Sequence, residues 1–460
     1  MILKSRKRAY VETYGCQMNI SDGELMEGVL SDHGYEIASS PDEADVILIN
    51  TCAIREHAEK RVLGRVSQLS GLKRNRPEVV IGVTGCMAQR MGDLLLERAP
   101  LVDLVMGPDG YRSLPERLDA LEGLRQAKVS KSGEKKGTQL TVLDLNLGEN
   151  YEGISQLRTS QISAWVPIQR GCNHRCTFCI VPYVRGSEKN RLPQDILREI
   201  EEIADSGITE VTLLGQTVNS YQSNETSFTE LLRSVARVPG IQRVRFTSPH
   251  PNDVTPELLE VMAEESAVCE QLHLPLQSGN DHVLKRMLRR YTVDSFLDKV
   301  ELARLTVPNL AISTDVIVAF PGESREEFED TLNLLRHVRF DDAYTYRYSL
   351  REGTPASRFP NEDFIADDEA QKRLEILIEV HRKIQSEINR SEVGNVEEVL
   401  IEKSARHPGQ ILGRTRRNKV VAFQGSPELI GTYKSVSLTA TTGATFVGEL
   451  IDSSALAFDS

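Results

Sequence analysis

Hydrophobic and polar positions divide the chain into stretches of different rhythm. Near the start, the apolar, β-branched runs RAYVETYGC, ADVILINTC, EVVIGVTGC and LVDLVMG each give way to a helical stretch. That alternation predicts a doubly wound α/β domain over residues 1–124. From Arg125 to Thr159 the periodicity fades into the basic, glycine-containing tract AKVSKSGEKKG and polar sequence, which predicts a linker with a hairpin over 125–159. Strand candidates then return as AWVPIQ, EVTLLG, RVRFTS, CEQLHLPLQ, LAISTDVIVAF and DDAYTYRYSL, with helical stretches such as DILREIEEIADSG between them. Six such units predict a partial (β/α)6 barrel over 160–393, whose catalytic groups would gather at the carboxyl ends of its strands. The amphipathic stretch DDEAQKRLEILIEVHRKIQSEINRSEV leads out of it. Residues 394–460 carry short alternating runs (EVLIEK, QILGRT, KVVAFQG, KSVSLTATTG, TFVGELI) separated by turn residues, the signature of a small all-β barrel. The expected class is therefore multidomain α/β with a C-terminal β-barrel.

Composition narrows the function more than the fold. The 460 residues exceed what one core usually serves, and 40% hydrophobic with 27% charged residues is ordinary for a soluble protein. No run reaches the ~18 apolar residues that a membrane span needs, and the basic start MILKSRKRAYVETYG has no apolar core of a signal peptide, so a cytoplasmic protein with no membrane partner is expected. A net charge of -12 excludes nucleic-acid binding by bulk charge; such binding needs a local patch. The last stretch is locally neutral, with four of its positive charges in RTRRNK: Arg414, Arg416, Arg417 and Lys419. These are the candidate phosphate-tracking residues, a solvated charged turn being the other reading.

The seven cysteines carry the chemistry. Cys172, Cys176 and Cys179 form CxxxCxxC in GCNHRCTFC, which bunches three thiolates into one loop without a fourth. Iron–sulfur clusters usually take four thiolates, so a three-thiolate site leaves one iron open to another ligand. A structural zinc site is the alternative, but it wants four closed ligands, and His174 sits too close in the loop to complete a tetrahedron comfortably. Cys16, Cys52 and Cys86 each end a predicted parallel strand of the first domain. Carboxyl ends of such strands line one crevice, so these three would converge and could hold a second open-iron cluster, although each alone reads as a small buried hydrophobe.

CxxxCxxC after a strand resembles the radical S-adenosylmethionine (SAM) superfamily. The order of an α/β domain with three cysteines, a radical SAM barrel and a TRAM-like RNA-binding barrel resembles the methylthiotransferases over essentially the whole chain. The strings YGCQMN, NTCAIREHAEKR, TGCMAQR, GCNHRCTFCIVPYVRG and HLPLQSGND carry that resemblance. It implies two iron–sulfur clusters of 4Fe-4S type, the auxiliary one on Cys16, Cys52 and Cys86 and of open form, and two uses of SAM. One SAM donates a methyl group to sulfur at the auxiliary cluster; the other, at the Cys172, Cys176 and Cys179 cluster, supplies the radical. It further implies SAM contacts at Phe178, Gly215, Gln216, Gln277, Ser278 and Asp315, each of which also reads as ordinary packing or turn chemistry. Ala319 stands where the superfamily usually has a glycine. Within the family the substrate is dimethylallyl-adenosine in tRNA, threonylcarbamoyl-adenosine in tRNA, or a ribosomal-protein aspartate. VPYVRG, LLGQTVNSY and NTCAIRE most resemble the branch that acts on dimethylallyl-adenosine, next to the anticodon. The implied partners are the tRNA anticodon stem-loop and a low-potential donor such as flavodoxin, with the enzyme a monomer. An iron–sulfur electron-transfer protein is the reading from another class; it would not cleave SAM.

Overall fold

The computed structural model describes residues 6–53, 56–129 and 139–451. The first domain is a six-stranded sheet of β1 (Arg8–Tyr14), β2 (Glu36–Ile37), β3 (Val46–Thr51), β4 (Val80–Gly85), β5 (Leu104–Met106) and β6 (Leu140–Val142). Its strand order is β2-β1-β3-β4-β5-β6, and every neighbouring pair is parallel. All six residues of β3 are buried because helices cover both faces, which is why VILINT reads as continuous rather than alternating. Helix α1 (Gln17–Asp32) packs against the face that carries Leu48, Leu104 and Met106.

The expected linker is wrong as drawn. Strand β6 lies inside 125–159 and pairs parallel with β5, so it extends the first sheet, and among the described residues it forms no hairpin. Beyond it, Tyr151 is buried against Tyr111, with its hydroxyl donating to the carbonyl of Pro108, and Arg112 pairs with Glu149. Three residues, LTV, gave too short a signal to register as a strand. The basic tract falls mainly on 130–138, outside the described residues.

The central domain carries strands Ser163–Pro167, Glu210–Leu214, Arg243–Phe246, Gln271–His273, Ala311–Val318 and Asp342–Arg347. They form two parallel triplets joined by a bridge between Val244 and Val268. Among the described residues no pairing joins the last strand to the first, so the barrel stays open there. Helices cover its outside: Pro193–Asp205 buries Ile196, Ile200 and Ile203, the i, i+4, i+7 stripe its sequence predicts.

The last domain is a closed five-stranded barrel of Val396–Ser404, Gln410–Thr415, Val420–Gln424, Tyr433–Thr441 and Thr445–Leu450, filled by Val399, Ile411, Phe423, Val436 and Phe446. It docks on the amino ends of the central strands, opposite their carboxyl ends. Arg243 and Arg245, at the start of the third strand, donate to the carbonyls of Glu398, Arg414, Thr415 and Arg416 at 2.7–2.9 Å.

That docking corrects the reading of RTRRNK as an open phosphate-tracking patch. Arg414 pairs with Glu402 at 3.0 Å, Arg416 with Glu270 at 2.9 Å, Arg417 with Glu392 and Glu397 at 3.0 and 2.6 Å, and Lys419 with Asp341 and Glu392 at 2.8 and 3.2 Å. The side chains of Arg417 and Lys419 are 15% and 8% exposed. Glu397 and Glu402 lie on the barrel itself and Glu270, Asp341 and Glu392 outside it, so each of these cations already has a carboxylate within 3.2 Å.

Candidate active site

Strands β1, β3 and β4 are neighbours in the sheet, so the residues that follow them lie side by side. Cys16 follows Gly15 at the start of α1, Cys52 follows β3, and Cys86 opens helix α2 (Cys86–Met91) after β4. Gly15 has φ +146°, and a side chain there would come within 2.7 Å of the Cys52 Cβ, so only glycine lets these two turns approach. Asn50 and Asn19 lock the turns together: Asn50 Nδ2 donates to the Asn19 carbonyl at 2.7 Å, and Asn19 Nδ2 to the Thr51 carbonyl at 3.2 Å. A hydrogen bond with Cys52, helped by the charge of Arg185, brings the Cys16 thiol down to about 6 against the pull of burial. Burial pushes Cys86 up.

The second set lies on the loop after the first barrel strand. Cys172 Sγ is 3.2 Å from Thr217 Oγ1, and Arg289 Nη1 donates to Cys176 Sγ at 3.4 Å. Burial, followed by the neighbouring Cys176, pushes Cys179 up to about 12. Such a thiol is stable as thiolate only against a cation, which is what an iron site provides. His174 does not join this set: its ring stacks on His250 at 4.1 Å and 6°, and its Nε2 approaches Asp253 at 4.0 Å. The fourth ligand that a closed zinc site requires is therefore not supplied by His174. Cys269 is buried beside Arg245, outside both sets.

All six cysteines line one cavity of about 430 Å³ between the two domains. Phe178, Gly215, Gln216, Gln277 and Asp315 line it as well. Phe178 packs edge-on against Phe320, and Asp315 is held by His273 Nε2 at 3.1 Å. The Oε1 atoms of Gln216 and Gln277 are buried with no hydrogen-bond partner, an expense that a polar ligand in the cavity would remove. Ser278 corrects the expectation. It is fully buried outside the cavity, its hydroxyl 3.4 Å from Thr331 Oγ1. Gln277 forms an isolated bridge with Val316 and takes φ +69°, a turn in which neighbouring side chains leave in different directions, Gln277 into the cavity and Ser278 away from it. Ala319 keeps φ +56°, the left-handed backbone a glycine would adopt, with its N–H donating to Glu323 at 2.7 Å.

Sequence reasoning missed the polar clasp that joins the two cysteine sets. Asp22 of α1 is fully buried and accepts from Arg170 Nη1 at 2.6 Å and Arg185 Nη2 at 2.7 Å. Arg185 Nε donates to Cys86 Sγ at 3.1 Å. The available signal was position: both arginines flank the cysteine loop, in QRGC and VPYVRG. The donor set fits the groups expected of it. All six thiols are free of disulfides, they fall into two clusters of three on one cavity, and unpaired amide oxygens face the space between.

Residues 8–107 match the Uncharacterized protein family UPF0004, residues 166–335 the Radical SAM superfamily, and residues 390–451 the TRAM domain. In fold, the chain is similar to the radical S-adenosylmethionine methyltransferase TsrM from Kitasatospora setae, solved with cobalamin and a [4Fe-4S] cluster bound: TM-score 0.57 at 14% identity, over 88% of this chain and 80% of that one. The cobalamin-dependent S-adenosylmethionine radical enzyme OxsB gives 0.52 at 13% identity, over 85% of this chain and 62% of that one. Fold and site thus define a radical SAM enzyme that uses a [4Fe-4S] cluster and SAM and ends in a TRAM domain. Full-length relatives are more specific. A tRNA-2-methylthio-N(6)-dimethylallyladenosine synthase of Chloroherpeton thalassium is 43% identical over 97% of this chain and 96% of its own, and one of Carboxydothermus hydrogenoformans is 42% identical over 95% and 97%. The chain belongs to the family of these synthases.

Proposed function

We infer that this chain places a methylthio group on carbon 2 of dimethylallyl-adenosine next to the anticodon of tRNA. The observation that carries this reading is the meeting of two three-cysteine sets from separate domains on one cavity. Cys172, Cys176 and Cys179 would hold the cluster that binds SAM, and Cys16, Cys52 and Cys86 the auxiliary cluster. When bound, these groups supply the electron, the radical, the sulfur and the methyl group. The chain's own residues do the rest. Gln216 and Gln277 offer acceptors to the polar parts of SAM, Phe178 gives its adenine an apolar wall, and Asp315, fixed by His273, presents a carboxylate to an amine or hydroxyl donor. Arg289 and Thr217 steady the sulfur atoms of Cys176 and Cys172. A low-potential donor such as flavodoxin, a monomeric state and a cytoplasmic location complete the reading. No helix among the described residues is long and apolar enough to cross a membrane.

With RTRRNK paired inside the molecule, the RNA surface lies at the open side of the central barrel. In the parallel pairing, Tyr344 lies opposite Asp315 and Tyr346 opposite Ile317, so both tyrosines share the face that lines the cavity. They are nonetheless 46% and 37% exposed, because among the described residues no further strand pairs beyond theirs. Exposed rings beside a cavity for a base favour stacking of unpaired loop nucleotides. Changing both to alanine is expected to raise KM for tRNA at least about thirtyfold, at about 1–3 kcal/mol for each of two stacked bases, and to leave SAM cleavage without RNA unchanged. The function as a whole is tested by mass spectrometry of tRNA nucleosides from a strain lacking this gene. The methylthio form of dimethylallyl-adenosine should vanish and return with the gene; its persistence, or loss of a different methylthio product, contradicts the assignment.

A further inference from the structure

The buried arginine of the polar clasp belongs to one domain and touches a cysteine of the other. Arg185 follows the short helix Val181–Val184 of the central domain and is 4% exposed. Its Nη2 donates to Asp22 at 2.7 Å and its Nε to Cys86 Sγ at 3.1 Å, whereas its Nη1 is buried without a partner. Arg170 shares the Asp22 carboxylate, so two guanidinium groups stand against one carboxylate beside the cysteines. Tyr111, Tyr151, Glu149, the Lys189–Asp109 pair and the cysteines are further titratable groups around this cluster. The Arg185 guanidinium stands in a site shielded from water, aimed at a sulfur that the proposed function makes a cluster ligand.

We propose that Arg185 is a positioning residue for the auxiliary cluster: across the domain interface it donates a hydrogen bond to the Cys86 sulfur and raises the reduction potential of the cluster that Cys16, Cys52 and Cys86 hold. The proposal rests on the functional reading above. Its physical basis is that one-electron reduction adds a negative charge to the cluster. A charge-assisted N–H donor to a ligand sulfur stabilises that charge, and such donors are among the protein's levers on cluster potential. The donor reaches Cys86 only because Asp22 orients it: with Nη2 fixed on Oδ2, the planar guanidinium has one orientation that also places Nε on the sulfur. Cys86 takes this donor from the central domain, whereas Cys16 Sγ lies 3.3 Å from Asn19 Oδ1 of its own domain.

The test uses the full chain with Cys172, Cys176 and Cys179 changed to alanine, reconstituted anaerobically with iron and sulfide, so that only the auxiliary cluster is read. Its midpoint potential is measured by titration followed by electron paramagnetic resonance, then repeated with Arg185→Gln and Arg185→Lys. Glutamine should lower the midpoint by at least 59 mV, a tenfold fall in the ratio of reduced to oxidised cluster for one electron, and lysine should restore much of it. An unchanged midpoint in the glutamine variant at equal iron per chain overturns the proposal. A second measurement needs no change at Arg185. In the same chain grown with 15N-arginine, pulsed resonance of the reduced cluster should show a 15N coupling from the bonded Nε. Its absence overturns the proposal even where the glutamine variant fails to fold. If the chain bears no cluster on Cys16, Cys52 and Cys86 at all, the functional reading itself falls, a result distinct from a cluster whose potential ignores Arg185.

Discussion

At the residue scale, the first domain contains a carboxylate that the fold leaves without support. Glu27 on α1 is buried, has no partner among the described residues and lies near Glu24. Burial, then the Glu24 charge, raises it from 4.5 to about 7. The folded chain therefore holds this proton up to about pH 7, while the unfolded chain releases it near 4.5. The group's contribution to stability is fully present below 4.5 and is lost as pH rises through 7. Glu27→Gln, neutral at every pH, is expected to stabilise the chain at pH 8 by on the order of 1 kcal/mol after screening by solvent, with little effect at pH 4.5. Anaerobic urea unfolding at the two pH values checks this; equal gains at both would show that the carboxylate is not the cause. The six cysteines could be picked out from the sequence because their spacing and strand-end positions are local features. The Asp22 clasp could not, since an aspartate on an apolar helix and two arginines about 150 positions away carry no mutual signal until the domains pack.

At the scale of elements, the way α1 meets the chain that leaves the first domain depends on one glycine. A methyl group on Gly28 would lie 2.0 Å from the Ser155 carbonyl, and Leu157 donates its N–H to the Glu24 carbonyl on the same helix at 3.0 Å. Backbone cannot yield as a side-chain tip can. Gly28→Ala should therefore destabilise the chain by about 1–3 kcal/mol, despite alanine's better helix propensity. A gain in urea midpoint would refute the close approach. The same segment explains how far the sequence could be read. Long β-branched runs such as VILINT and AISTDVIV announced their strands, whereas β6 is three half-buried residues whose pairing with β5 is set by tertiary contact. Ser278 failed for a related reason: neighbours in a turn with Gln277 at φ +69° share a motif but not a direction.

At the scale of the molecule, the domains are fastened at both ends of the central barrel, by the Asp22 clasp near the carboxyl ends and by the RTRRNK docking at the amino ends. The second fastening replaces an RNA patch in the account. Changing Arg414, Arg416, Arg417 and Lys419 to glutamate would set these positions against Glu270, Asp341, Glu392, Glu397 and Glu402. Of the pairs that leave the barrel, those of Lys419 with Asp341 and Glu392 are mostly buried, and breaking such a pair costs about 3–5 kcal/mol when one partner is left alone, so the C-terminal barrel should undock. Limited proteolysis should then cut near residues 391–396, and small-angle scattering should show a larger radius of gyration. A compact, protease-resistant variant with weakened tRNA binding would restore the phosphate-patch reading. Composition gave no warning of this, because seven positive and seven negative charges in the last stretch look equally solvated until their partners, in the barrel and in the central domain, are known.

The account's central claim is that two cysteine sets divide the work within one cavity. The most direct measurement compares the unaltered chain with a Cys16→Ala, Cys52→Ala, Cys86→Ala variant, each reconstituted anaerobically and supplied with SAM, reductant and tRNA carrying dimethylallyl-adenosine. Mass spectrometry follows 5′-deoxyadenosine and the methylthio nucleoside together. The unaltered chain should yield both, and the variant should still yield 5′-deoxyadenosine but no methylthio nucleoside. A variant that still methylthiolates the tRNA would contradict the account.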